Sequence, residues 1–268
     1  MQNRMGRRKG VNLYNAALRI LLMGFVVAGL VGCVTVEDKP FKKKANKQRL
    51  IEVSVSAANS YIKARQLDKA KRHLNKALEA DRKSPKVHNT YALLYRVEGE
   101  DALAEKHYRL AIKYDPGYSQ AHNNYGTLLY QQGRYKESLE ELKIAASDPQ
   151  YDRRAQVFEN IGRCSLKLAD TEQARKAFQK AVRLDAKLAR SLIELAKLSY
   201  SEEKYVNAYN YLNHFDAVAK HSPESLWLGI RIQRVLGNKD ALASYELALK
   251  NMYPNSMEYQ EYLKSIVQ

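Results

Sequence analysis

Two cysteines, one tryptophan, twelve glycines and six prolines are low counts for 268 residues. So few cysteines exclude a small disulfide-stapled fold and leave no Cys-rich cluster for structural zinc. Scarce glycine and proline, and the lack of any stretch alternating at a two-residue period, exclude a turn-rich sandwich or barrel. The six histidines (His73, His88, His107, His122, His214 and His221) include no pair four residues apart and no neighbouring cysteine at ligand spacing, so no metal site is expected. No phosphate-cradling glycine loop and no GxSxG occur either. Nothing is assembled for turnover, so an enzyme and a cofactor are both unexpected.

What is present is helix-forming residue types and positive charge. The chain is 45% hydrophobic by residue type, 28% charged, and carries a formal net charge of +16. It is long enough for a sizeable core, and its composition favours an all-α fold. Basic charge invites nucleic acid, but no recognition helix or aromatic-interleaved basic patch accompanies it, so no nucleic-acid partner is expected. No feature points to a small-molecule substrate.

The amino terminus has a direction. Arg4, Arg7, Arg8, Lys9 and Arg19 precede an apolar run from Ile20 to Val31, which is short for a helix crossing roughly 30 Å of hydrocarbon. That is the layout of a secretory signal peptide over residues 1–32. The run ends in Leu30-Val31-Gly32-Cys33, which resembles the bacterial lipobox. The resemblance implies cleavage before Cys33, diacylation of its sulfur and acylation of the new amino terminus. Buried acyl carbons contribute about 0.8 kcal/mol each, so several chains hold a protein stably where one does not. Val34, rather than Asp, follows the cysteine, which in such lipoproteins implies sorting to the outer membrane of a Gram-negative bacterium, facing the periplasm. Removal of five basic groups leaves the mature chain at +11. Residues 33–49 include Lys39, Lys42, Lys43, Lys44, Lys47 and Arg49 without a helical apolar stripe, and are expected to form an extended tether. Its lysines could contact anionic lipid or an acidic partner.

Beyond residue 50 the chain repeats. Small residues recur at Ala58, Ala92, Gly126, Gly162, Ala196 and Gly229, and again twelve positions later at Ala70, Ala104, Ser138, Ala174, Ala208 and Ala241. A large residue follows the second ladder by four, at Leu74, Tyr108, Leu142, Phe178, Leu212 and Tyr245. Such spacing suits paired antiparallel helices: small residues let two axes approach, and the large side chain fills the space one turn on. Gly99 and Gly133 supply turns within pairs, and Pro85, Pro116, Pro223 and Pro254 fall near junctions between pairs. Two extra residues within Ser147 to Asp152 predict a longer turn, and the last repeat is one residue short. Cys164, two residues after Gly162, reads as a buried, unreactive thiol.

These ladders resemble the tetratricopeptide repeat, which implies a right-handed superhelical solenoid of six helix-turn-helix repeats over residues 50–254. The tail, residues 255–268, suits a helix capping the last apolar face. The repeat register implies a concave groove lined by the first helix of each pair, with Asn89, Asn123, Thr127, Tyr130, Gln156, Arg163, Lys167, Arg190 and Lys197 facing it as candidate partner-binding residues. The clamp that some such repeats form around a terminal carboxylate needs lysine where this chain has Asn89 and Asn123, so capture of a chain end is not expected.

Further stretches narrow the resemblance. NNYG (Asn123 to Gly126), QGRY (Gln132 to Tyr135), VFENIG (Val157 to Gly162), SLWLGIR (Ser225 to Arg231) and YPNSMEYQEY (Tyr253 to Tyr262) are similar to the type IV pilus biogenesis and stability lipoprotein family, PilF/PilW. The resemblance implies a pilotin: an outer-membrane lipoprotein that binds the type IV pilus secretin and promotes its localisation and multimerisation. The alternative on the same fold is a lipid-anchored periplasmic adaptor for cell-wall synthesis or outer-membrane assembly machinery.

Overall fold

A computed structural model describes residues 40–267, and all regular structure within them is α-helical. The proposed signal peptide, Cys33 and the first part of the tether lie outside the described residues. Thirteen helices follow one another: α1 (Pro40–Lys63), α2 (Leu67–Ala80), α3 (Pro85–Glu98), α4 (Asp101–Tyr114), α5 (Ser119–Gln131), α6 (Tyr135–Ser147), α7 (Arg154–Lys167), α8 (Thr171–Leu184), α9 (Ala189–Ser201), α10 (Tyr205–Val218), α11 (Pro223–Leu236), α12 (Lys239–Met252) and α13 (Met257–Val267). The first twelve form six antiparallel pairs.

One expectation needs correction. The chain is helical from Pro40, so residues 40–49 do not form the extended tether that their charge implied. Lysine, alanine and glutamine are good helix formers, and proline is tolerated at a first turn, where its missing N–H has no intrahelical acceptor.

The small-residue ladders mark where the two helices of a pair touch. A Cβ built on Gly126 would lie 2.8 Å from Leu142, on Gly162 2.6 Å from Phe178, and on Gly229 2.7 Å from Tyr245. Each glycine is thus a close-approach site facing the large residue sixteen positions later. Where the ladder carries alanine, as at Ala92 opposite Tyr108, both residues are fully buried. Burial of each such large side chain contributes about 1.5–3 kcal/mol.

The turn inside every pair has the same backbone. Arg65, Gly99, Gly133, Ala169, Glu203 and Gly237 all have φ between 55° and 82°. They occupy one repeat position, and only three are the residue type that adopts this region without steric cost. Between pairs, Ser222 caps α11 by accepting from the Ser225 amide while the Ser225 hydroxyl accepts from the Ser222 amide. Within pairs, the Asp170 and Asn238 side chains cap α8 and α12 by accepting from the Gln173 and Ala241 amides.

The core is a succession of small clusters rather than one centre. Ala92, Ala104, Tyr108, Tyr125, Leu128 and Leu129 join α3, α4 and α5, and Leu142, Ala145, Val157, Ile161, Cys164 and Ala177 join α6, α7 and α8. Each repeat therefore covers its neighbour. The last cluster, built on Leu226, Ile230 and Leu249, is covered by Tyr259 and Tyr262 of α13, which occupies the place a seventh first helix would take.

Polar links between repeats add to this. The Glu105 carboxylate accepts from Arg109, from the Tyr125 hydroxyl at 2.7 Å and from Arg134 at 2.8 Å. Burial pushes this carboxyl up, but those hydrogen bonds outweigh it and hold the group at about 2. Arg175 pairs with Glu202 across the next junction but one. Cys164 is buried with its sulfur 3.1 Å from the Ser138 hydroxyl, and burial pushes the thiol up, away from the reactive thiolate.

Candidate functional site: the layer of first helices

Successive first helices from α3 to α11 touch one another as well as their own partners, and the second helices make no comparable approach among the described residues. A curved array is compressed on its inner side, so α3, α5, α7, α9 and α11 form the inner layer. Its surface is the candidate site. No helix among the described residues is long and apolar enough to cross a membrane. Nor do three or more His, Cys, Asp or Glu side chains come together there as a metal cluster.

The nine residues assigned to the groove from the repeat register meet different fates. Asn89 and Asn123 are buried, at 2% and 7% exposure. The Asn124 amide donates to Asn89 Oδ1 at 2.9 Å, and the Asn160 amide to Asn123 Oδ1 at 3.4 Å. These two asparagines clip adjacent first helices together instead of facing a partner; the register put them on the inner side, and the neighbouring helix covers them. Thr127 donates to the Asn123 carbonyl of its own helix at 2.8 Å and is half-buried. Gln156, Lys167 and Arg190 are exposed. Lys197 is half-buried between Glu194 and Glu224.

Tyr130 and Arg163 come together. The guanidinium carbon of Arg163 lies 4.5 Å from the Tyr130 ring centroid, a cation-on-ring contact between consecutive first helices. The structure repeats this motif two repeats on, with residues the register had left out. Arg231 lies 4.9 Å from the Tyr200 ring and 5.5 Å from the Trp227 ring, and Tyr262 of α13 meets Trp227 edge-on. Tyr200 stands at the same repeat position as Tyr130. By a constant 34-residue step Arg231 falls at the position of Arg163 and Lys197; counted from Gly229 it falls one residue later than Arg163 does from Gly162, because the last repeat is one residue short.

The inner layer also holds internal pairs. Arg96 donates to Gln131 Oε1 at 2.6 Å, and Ser191 donates to Glu159 at 2.8 Å. Together the residues form a polar, tyrosine-lined surface whose cations are partly neutralised and partly open. Such a surface can hydrogen-bond an extended backbone and receive acidic groups.

Comparison with known proteins fits this architecture. The tetratricopeptide repeat profile matches residues 55–119, 102–152 and 155–188. The type IV pilus assembly protein PilF of Pseudomonas aeruginosa is 37% identical over 246 residues, covering 91% of this chain and 98% of that protein. A solved structure of Pseudomonas aeruginosa PilF superposes with a TM-score of 0.77 at 36% identity, over 82% of this chain and 99% of that one. That of PilW, described as a widely conserved type IV pilus biogenesis factor, gives 0.65 at 25% identity, over 80% and 98%. With its six helix pairs, its terminal cap and this extent of identity, the chain belongs to the PilF/PilW family of type IV pilus biogenesis proteins.

Proposed function

We propose that this protein is a pilotin: an outer-membrane lipoprotein that binds the type IV pilus secretin through the layer of first helices and promotes its localisation and multimerisation. The observation that carries the reading is its 37% identity to a type IV pilus assembly protein across 91% of the chain. The lipobox ending at Cys33 supports the anchoring half of the proposal, and the basic mature chain is consistent with an acidic partner. No turnover is involved. Acyl chains on Cys33 confine the array to a thin layer beside the membrane, which raises the effective concentration of any partner held there by tether reach alone.

The test is Cys33→Ala in the native host. The variant keeps its helicity, leaves the outer-membrane fraction and lowers the yield of secretin multimers; unchanged multimers would remove anchoring from the mechanism. Pull-down of the wild type from membranes separates the two readings of the fold. Recovery of secretin supports the pilotin, and recovery of cell-wall synthases instead supports an adaptor for wall-building machinery.

A further inference from the structure

Among the inner-layer cations, most have an internal partner. Lys197 sits with Glu194 and Glu224, Arg234 with Glu246 at 3.6 Å and Ser265 at 2.8 Å, and Arg96 with Gln131. Lys167 and Arg190 have no ion-pair partner among the described residues but are exposed to solvent; Arg163 and Arg231 differ in being unpaired while half-buried. Arg163 has one long hydrogen bond, 3.4 Å to Asn160 Oδ1, and the nearby Glu159 is held by Ser191. Arg231 makes no hydrogen bond among the described residues, and its Nε is buried without an acceptor. No carboxylate among the described residues pairs with either guanidinium. Both lie over the ring of a tyrosine from the preceding first helix, Arg163 over Tyr130 and Arg231 over Tyr200. A guanidinium held over a ring loses freedom but keeps N–H donors at its edge, in Arg231 those other than the buried Nε, and such a pair of donors can receive a carboxylate through two parallel hydrogen bonds. A partly desolvated arginine with no acceptor is costly to keep, and an incoming carboxylate relieves that cost.

We propose that Arg163 and Arg231 are two carboxylate-receiving points, and that together they select an extended partner segment bearing two acidic side chains on one face. The proposal rests on the reading that the inner layer is the partner surface. The spacing follows from the architecture. The two arginines stand on α7 and α11, two repeats apart; packed helices are about 8–10 Å apart, so the points are separated by about 20 Å. An extended chain rises about 3.3 Å per residue, so the two acidic residues lie about six positions apart, an even number that puts both side chains on the same side. Between the two points, Lys197 is neutralised by two glutamates, and Arg190 is exposed, where a salt bridge contributes little.

The probe is a fluorescent peptide, capped at both ends so that no terminal carboxylate competes, with glutamates at positions i and i+6 in a neutral, extended sequence. It is titrated into the detergent-purified full chain. Two comparators carry Gln in place of one Glu or the other, and a third moves the acids to i and i+3. The doubly acidic i, i+6 peptide is expected to bind about tenfold more tightly than any comparator. Arg163→Gln and Arg231→Gln should each abolish the preference for one of the two glutamates, and Arg231→Lys should restore only part of it, since an ammonium lacks the fork. Circular dichroism establishes that each variant retains wild-type helicity. Equal binding of the Glu and Gln peptides, equal binding of the i+3 peptide, an unchanged preference in both Gln variants, or displacement by inorganic phosphate at the peptide's own concentration overturns the proposal. Secretin recovery is scored in parallel. If secretin still co-purifies while the peptides fail to discriminate, this inference falls and the pilotin reading stands; if the wild type recovers no secretin, the pilotin reading itself fails.

Discussion

Replacing His107 with Phe isolates an acid sensitivity built into the second repeat. His88 and His107 face each other across α3 and α4, with their Nδ1 atoms 3.1 Å apart. The His88 Nε2–H donates to the Arg82 carbonyl at 3.0 Å, so neutral His88 offers a lone pair at Nδ1 and His107 supplies the proton. The next repeat has the same layout with a different partner: His122 donates to the Pro116 carbonyl at 2.9 Å, and its Nδ1 lies 2.6 Å from Glu141. Burial lowers His122, but its hydrogen bonds to Glu141 and Pro116 outweigh this and the group is raised overall. His107 has no such carboxylate. Burial, and then repulsion from His88, hold it down to about 4, and burial lowers His88 as well. In the unfolded chain both return to about 6.5. Below that pH the unfolded state takes up protons that the folded state refuses, so this contribution to stability is complete above about 6.5 and is lost as pH falls toward 4. For His107 the difference corresponds to about 3 kcal/mol, which partial solvent contact roughly halves, to about 1.5 kcal/mol. His107→Phe keeps a ring against Tyr91 and Tyr95, whose centroids lie 5.0 and 5.3 Å away, but leaves His88 Nδ1 without a donor. The variant is therefore less stable by about 1 kcal/mol at neutral pH. It lacks the His107 share of the acid loss and keeps that of His88, so its stability curve approaches that of the wild type and crosses it near the acid end. Urea melts followed by far-UV circular dichroism, at a series of pH values from about 7.5 to 4, give both curves. Hydrogen exchange of the α3 and α4 amides localises the effect, because a repeat array can open in parts. Parallel curves, or an NMR titration midpoint for His107 above about 6, would refute the reasoning.

Two further substitutions test the architecture. Gly162→Ala improves helix propensity by about 1 kcal/mol yet drives a Cβ into the Phe178 ring; the net expected outcome is a loss of about 1–2 kcal/mol in urea melts, and a neutral or stabilised variant would show that the pair is not closely packed. Ala169→Gly relieves a left-handed alanine at φ 61° and is expected to raise stability by about 0.5–1 kcal/mol, whereas Ala104→Gly, in a buried helical position, must destabilise.

Much of the repeat plan was written along the chain. The paired ladders of small residues, the large residues that face them and the six-fold count follow from local spacing, because each helix pair must solve the same close-approach problem with the same residue sizes. The glycine turns were legible at Gly99 and Gly133, but not their counterparts at Arg65, Ala169 and Glu203, where tertiary packing imposes a left-handed backbone on residues that do not favour it. The helical start at Pro40 was missed because a run of lysines reads as repulsion along an extended chain, while the same residues are good helix formers once α1 continues into a packed segment.

The site was legible only in part. Tyr130 and Arg163 could be placed by register, since periodicity says which side of a helix faces inward. Periodicity does not say how closely the next helix covers that side, so Asn89 and Asn123 were assigned to a partner although their neighbours bury them. Nor does periodicity say which ring a cation meets: Tyr200 stands at the position of Tyr130 and Arg231 a regular step beyond Lys197, but their contact, and that with Trp227, is set by the packing of α9, α11 and α13. Sequence alone determined the helix pairs and their order, because these depend on contacts within about forty residues. Which cations are neutralised and which stay open was decided by tertiary structure, because that depends on where side chains from consecutive repeats meet.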